Sequence, residues 1–244
     1  MALAFYQLTH AGDREINQDF MAHLINDTYA LFVVADGLGG HHAGEKASRF
    51  FCESLLKSAE TYGKQVARNP VDTFVAWISE AVNEMKRKFL DDQSGQEAHT
   101  TCAILYLDEQ RVVTAHCGDT RIYRMNADKI LWRTMDHSIP QQLLNEGKIT
   151  EQQMGQHPEQ NQLTRSINIL KAVDMEINIY PAMQTGETFL LCSDGFWEYV
   201  KPSELMQLAG IANGKTEIGK LARLAIIRAR GGSDNVTVQW VRRY

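Results

Sequence analysis

Hydrophobic and polar positions along this chain follow two rhythms. Short apolar or alternating runs predict β-strands at 3–10, 29–36, 101–107, 111–117, 121–125, 130–134, 174–180, 187–192 and 236–241. Other stretches repeat near 3.6 residues. Residues 45–57 put Ala47, Phe50, Phe51, Ser54 and Leu55 on one helical face, and Pro70 opens a helix to about residue 90 in which Phe74, Trp77, Ile78, Ala81, Val82 and Met85 recur. Further helices are expected at 202–209 and 216–230. The strands between 101 and 134, joined by short polar turns at 108–110 and 126–129, predict an antiparallel meander. From 138 to 171 the pattern turns helical and polar. A helix over 139–146, a stop at Gly147 and a second start at Thr150-x-x-Gln153 predict an inserted subdomain there. Strands and helices arrive in blocks rather than in strict alternation, so the fold class is α+β with packed antiparallel sheets.

Composition narrows this to one soluble domain spanning 1–244. With 244 residues, 44% of them hydrophobic and 23% charged, the chain can bury roughly 70% of its unfolded surface without covalent staples. Cys52, Cys102, Cys117 and Cys192 stand apart without metal or redox spacing, and are read as buried thiols in a reducing compartment. The start lacks a basic, apolar leader, and no apolar run approaches the ~20 residues that span a bilayer, so a cytoplasmic protein without membrane insertion is expected. A net charge of -5, with no basic block, argues against nucleic acid as a partner.

Chemistry enters at the end of the 29–36 run. Leu31-Phe32-Val33-Val34-Ala35 delivers Asp36 to Gly37-Leu38-Gly39-Gly40, a turn whose spacing fits neither a dinucleotide fingerprint nor a P-loop. Asp19, Asp119, Asp194 and Asp234 also stand where a strand meets a turn. One such aspartate is ordinary turn chemistry; five invite convergence. Two carboxylates ~5 Å apart repel by roughly 3 kcal/mol at an effective dielectric near 20, so a converged set calls for divalent cations. Oxygen ligands point to Mg²⁺ or Mn²⁺ rather than zinc.

The strings Arg14-x-x-Asn17-Gln18-Asp19, Asp36-Gly37-Leu38-Gly39-Gly40-His41 with Gly44-Glu45-x-Ala47-Ser48, Gly118-Asp119-Thr120-Arg121-x-Tyr123, Ser193-Asp194-Gly195 and Gly232-Ser233-Asp234-Asn235 resemble, in order, the motifs of the metal-dependent PPM (type 2C) Ser/Thr protein phosphatases. His157-Pro158 with Asn161-x-Leu163-x-Arg165 is similar to the flap of bacterial members. The resemblance implies an αββα sandwich of two antiparallel sheets flanked by helices, with a small helical flap at about 138–172. It implies that Asp36 bridges two metal ions, that the Gly37 carbonyl binds one of them, and that Asp194 and Asp234 complete the other. Asp19 would orient metal-bound water, Asp119 with Asp194 would form a third ion position, and Arg14 would hold the substrate phosphate.

Three positions depart from the family pattern. Leu38 stands where animal members carry a histidine proposed as general acid, Gln18 where some relatives have glutamate, and Asn168 where glycine often follows the flap arginine. The implied reaction is hydrolysis of phosphoserine and phosphothreonine by metal-bridged hydroxide, without a phosphoenzyme. The expected partners are phosphorylated proteins made by a cognate Ser/Thr kinase, and the expected state is a monomer. Two rivals share the fold: a silent phosphoprotein-binding scaffold, and an enzyme dedicated to one regulator. His41 and His42 are read as turn residues, His157 as a surface residue of the flap, and Trp77, Trp132, Trp197 and Trp240 as core or shielding residues.

Overall fold

The computed structural model describes residues 2–39, 43–90, 92–210 and 214–244. The chain enters through β1 (Leu3–His10), β2 (Asp19–Ile25) and β3 (Ala30–Leu38), then passes through α1 (Ala43–Lys57), α2 (Ala59–Tyr62) and α3 (Pro70–Lys88). Next come β4 (His99–Thr100), β5 (Cys102–Leu107), β6 (Arg111–Cys117), β7 (Arg121–Met125) and β8 (Ile130–Arg133). The 138–172 excursion carries α4 (Ile139–Asn145), α5 (Glu151–Met154) and β9 (Ile167–Asn168). It is followed by β10 (Glu176–Pro181), β11 (Thr188–Cys192), α6 (Asp194–Trp197), α7 (Pro202–Leu205), α8 (Lys215–Arg228) and β12 (Val236–Arg243).

Two antiparallel sheets face each other. One runs β1-β12-β11-β7-β8; the other runs β10-β6-β5-β3-β4-β9, with β2 on the free side of β3. Strand β3 shows why its sequence reads as one apolar run: both of its faces are covered. Leu31 and Val33 pack with Phe51, Leu55, Phe74 and Trp77 beneath α1 and α3. Phe32 and Val34 pack with Ile122, Phe189, Leu191 and Val241 between the sheets. On the opposite outer face, Leu221 and Ala225 of α8 cover Leu190 and Trp240. This is an αββα sandwich.

Three local expectations change. Strand β2 was not expected, because Asp19 and His23 interrupt its short apolar pattern; it forms by pairing Asp19–Ile25 along β3. Strand β3 runs past Asp36, since Gly37 and Leu38 pair with Thr100 and His99. The meander is two hairpins, β5–β6 in one sheet and β7–β8 in the other. The turn between them crosses the sandwich at Gly118, whose φ of 94° suits only glycine comfortably. All four cysteines are buried and unpaired. Among the described residues, no helix is long and apolar enough to cross a membrane.

Candidate metal centre

Asp36 lies at the sandwich edge, and its position is over-determined. Its N–H donates to Thr101 Oγ1 (3.1 Å), while its carbonyl accepts from the Thr101 N–H (2.8 Å) and Thr100 Oγ1 (2.9 Å). Asp19 is its direct partner across β2–β3, so the two side chains leave the same face of the sheet. Gly37 follows because nothing else fits: a Cβ there would stand 2.1 Å from the Gly44 carbonyl oxygen.

The other aspartates come from the opposite sheet. Asp194 opens α6, and Gly195 lets that helix press against the 234–235 backbone, where a Cβ would lie 2.2 Å from the Asn235 carbonyl oxygen. Asp119 sits in the crossing turn, its carbonyl accepting from Trp197 Nε1 (2.9 Å). Trp197 is therefore more than core: it ties α6 to Asp119 and stacks under the Arg121 guanidinium at 3.4 Å. Arg14, Asp36, Gly37, Asp119, Asp194 and Asp234 line one open cleft of about 610 Å³. Asn161 and Leu163 of the 138–172 segment also line it. Asp19 lies buried beside Asp36, with Oδ2 accepting from Ser193 Oγ (2.7 Å) and Oδ1 left without a partner.

The predicted residues thus meet in one place. Arg14 differs in detail, since its Nη2 donates to Asp234 Oδ2 at 2.8 Å and both side chains are more than a third exposed. Sequence reasoning assigned no role to three other groups. Asn235 staples the N-terminal loop to the C-terminal turn, accepting from the Gln18 N–H and donating to the Ala11 and Ile16 carbonyls. Ser193 braces Asp19. Glu198, one turn beyond Asp194, adds a further carboxylate whose pKa is pushed up to about 8, first by burial and then by Asp119 and Asp234. Runs of carboxylates after a strand, extended four residues along the next helix, would have exposed Glu198 in the sequence.

Leu38 lines the cleft, and the described histidine across the strand from it is already engaged. His99, opposite it on β4, has both ring nitrogens engaged, at 2.9 Å from Ser166 Oγ and 3.3 Å from Asn168 Nδ2. Asn168 also accepts from the Leu170 and Lys171 N–H groups, which gives this departure from glycine a turn-closing job. His41 and His42 lie outside the described residues.

Electrostatics mark the cluster as strained. Burial, ahead of other causes, pushes the Asp19 carboxyl up to about 6 and that of Asp119 up to about 7. Asp36 and Asp194 rise well above the usual carboxylate range, through burial and then the charges of their neighbours. Orphaned Asp19 Oδ1, the carbonyl at Gly37 and the converging carboxylates form an oxygen donor set suited to hard divalent cations.

A model of the protein phosphatase 2C family matches residues 7–212. The chain belongs to that family. It is a metal-dependent protein serine/threonine phosphatase of the type 2C class. Among relatives, the serine/threonine phosphatase stp of Listeria innocua is 30% identical over 223 residues, covering 89% of this chain and 86% of its own. The structure of Staphylococcus aureus Stp1 superposes with a TM-score of 0.82 at 27% identity, covering all of this chain and 96% of that one. The catalytic domain of the phosphatase PstP, solved with two manganese ions, shares the fold at a TM-score of 0.81 and 24% identity, covering 98% and 97%. The family match ends at residue 212, and Asp234 and Asn235 lie beyond it, within the superposition on Stp1 that covers the whole chain.

The raised carboxyls give this phosphatase a pH signature without metal. In EDTA, folded Asp19 and Asp119 keep their protons to about pH 6 and 7, whereas the unfolded chain releases them near 3.8, the ordinary aspartate value. The folded state binds more protons across that window, so stability is present below it and is lost as pH rises through it. The loss is on the order of 3 kcal/mol per group. With Mn²⁺ the direction reverses, because ligation displaces protons. Melting temperatures at pH 5 and pH 7.5, with EDTA and with Mn²⁺, check both signs.

Proposed function

We propose that this phosphatase hydrolyses phosphoserine and phosphothreonine monoesters in proteins at a centre of two Mn²⁺ or Mg²⁺ ions. Asp36 would bridge the ions, the Gly37 carbonyl would serve one, and Asp194 and Asp234 the other; Asp119 with Asp194 would hold a third. The observation that carries the reading is the cleft lined by Asp36, Asp119, Asp194 and Asp234, with Asp19 buried behind it as the direct cross-strand partner of Asp36. Such a cluster cannot stay ionised and compact without cations. The manganese in the PstP neighbour supports the choice of metal. Bound there, the ions supply charge neutralisation and acidify water for in-line attack on phosphorus.

The protein's own residues do the rest. Asp19, held by Ser193 through Oδ2, would orient metal-bound water. Arg14 turns from Asp234 to the phosphate, where its fork engages two oxygens. Phosphorylated proteins made by a cognate Ser/Thr kinase are the proposed substrates. The enzyme is proposed to act in the cytoplasm as a monomer, as one domain over 1–244 with a flap at about 138–172.

The test is turnover of p-nitrophenyl phosphate and a phosphothreonine peptide with Mn²⁺ and after EDTA. Loss in EDTA with recovery on added Mn²⁺ is expected, and turnover indifferent to both sinks the proposal. Replacing Arg14 by alanine should raise KM about 10- to 100-fold, as expected for one or two lost charged hydrogen bonds. Calorimetric Mn²⁺ affinity should stay level or tighten, since Asp234 is freed. Weakened metal binding would show that Arg14 supports the ions instead.

A further inference from the structure

The register between β3 and its neighbours β5 and β4 is continuous, with Val34 opposite Ala103 on one side and Gly37 opposite Thr100 on the other. At Thr101, between those two pairs, the backbone ladder is interrupted. The Thr101 N–H still reaches the Asp36 carbonyl (2.8 Å), but the Asp36 N–H donates to the Thr101 hydroxyl (3.1 Å). The Thr101 carbonyl accepts from Thr100 Oγ1 instead (2.9 Å). One side chain has replaced a main-chain acceptor beside Asp36.

That hydroxyl also reaches the other sheet. Thr101 Oγ1 lies 2.5 Å from Oγ1 of Thr120, the residue just before β7, and both side chains are buried. Thr120 belongs to a row of hydroxyls. One step past the Cys192–Arg121 pair it comes opposite Ser193, whose N–H donates to the Thr237 carbonyl and whose Oγ accepts from the Thr237 N–H (both 3.0 Å). Thr237 in turn shares a 2.7 Å hydroxyl contact with Thr9. Facing this row stand Asp19, Asp36 and Thr101 of the second sheet. Two bonds join the rows, Ser193 to Asp19 (2.7 Å) and Thr101 to Thr120, one on each side of Asp36. The apolar contacts between the sheets carry no direction, whereas a hydrogen bond fixes both distance and angle. The Thr101 methyl seats the same residue on the crossing turn, because a Cβ at Gly118 would lie 2.5 Å from Thr101 Cγ2.

We propose that Thr101 is a positioning residue: tied to Thr120, it fixes the end of β3 against the opposite sheet and so sets the spacing at which Asp36 from one sheet and Asp194 and Asp234 from the other share ions. This rests on the reading of Asp36 as a bridging ligand. Amide exchange and Mn²⁺ binding test it without measuring activity. In EDTA, Thr101→Val keeps the side chain's shape and drops its hydroxyl, and should speed exchange of the Asp36 N–H about 10-fold, as a buried donor loses its acceptor. Thr101→Ser, which keeps the hydroxyl, and Thr120→Val, which leaves Thr101 in place, should both hold that exchange within about 3-fold of wild type. Unchanged exchange in Thr101→Val would overturn the proposal.

With Mn²⁺, the electron paramagnetic resonance of the wild type should show an exchange-coupled pair. If it shows only isolated ions, the bridging reading fails and the inference falls with it. Given the pair, Thr101→Val and Thr120→Val should each change the coupling and weaken calorimetric Mn²⁺ affinity about 10- to 100-fold, the usual cost of losing a partner outside the ligand shell. Thr101→Ser should stay within about 3-fold. The double valine variant should bind no worse than Thr101→Val alone, since the bond between the two threonines is already gone. Wild-type affinity in Thr120→Val would reduce Thr101 to a local prop for Asp36, and additive losses would mean two separate defects; either result, or a serine variant as weak as the valine one, overturns the proposal.

Discussion

Replacing Asp36 by asparagine is expected to lower Mn²⁺-dependent turnover about 10³-fold, equivalent to about 4 kcal/mol of transition-state stabilisation. The same change is expected to make the EDTA-treated protein more stable. In the folded chain without ions, the Asp36 carboxyl is either charged among four other aspartates or protonated against its preference, and both disfavour folding. Asparagine keeps the backbone anchors to Thr100 and Thr101 and removes that penalty. With Mn²⁺ present the order should invert, because the wild-type chain gains binding energy that the variant lacks. The crossing of the two melting curves, read beside turnover, distinguishes a bridging carboxylate from a residue needed only for folding. A variant that stays active, or is less stable in both buffers, would refute the assignment.

The largest stability loss is expected at Asp136. Arg121 grips it with two bonds, Nε to Oδ1 at 2.8 Å and Nη2 to Oδ2 at 2.6 Å, and the side chains are only 5% and 1% exposed. Removing the carboxylate strands a guanidinium in the interior beneath Trp197. Asp136→Ala should therefore cost about 3–5 kcal/mol, and about 10 °C in Tm. Replacing both partners by Met and Leu should recover much of this, since the pair's own net contribution is small once neither charge is buried. Urea unfolding decides: a loss under about 1 kcal/mol for the single variant would mean that water reaches Arg121. Because Arg121 also supports the indole that holds the Asp119 carbonyl, the variant should bind its weakest Mn²⁺ less well.

The parts legible in the sequence were those written locally. Strand β3, helices α1 and α3, and the aspartates at strand ends carry their signal within a few residues, and the motif order supplied their convergence. The bracing was not local. Ser193 meets Asp19 across 174 positions, and Asn235 spans 217 to Gln18, so neither partner announces the other. Strand β2 is a similar case, because its short polar-interrupted run gains strand geometry only by lying on β3. Gly118 marked a turn correctly, but whether the chain returned to the same sheet or crossed to the other depended on packing. Asp136 and His137 stand in the short connection between β8 and α4, where nothing local separates a buried ion pair or a stacked ring from ordinary loop chemistry.

The staple at Asn235 has a consequence for how the enzyme comes into being. β1 pairs with β12 along its whole length, and the loop that carries Arg14 is held by Asn235, the residue just before β12. Segments more than two hundred residues apart must therefore be present at once before the cleft is complete. During synthesis, a ribosome-bound chain that has emerged only as far as α8 has Asp19 and Asp36 in hand but neither Asp234 nor the strand that seats it. Competence should arrive in one step once β12 has emerged and paired with β1.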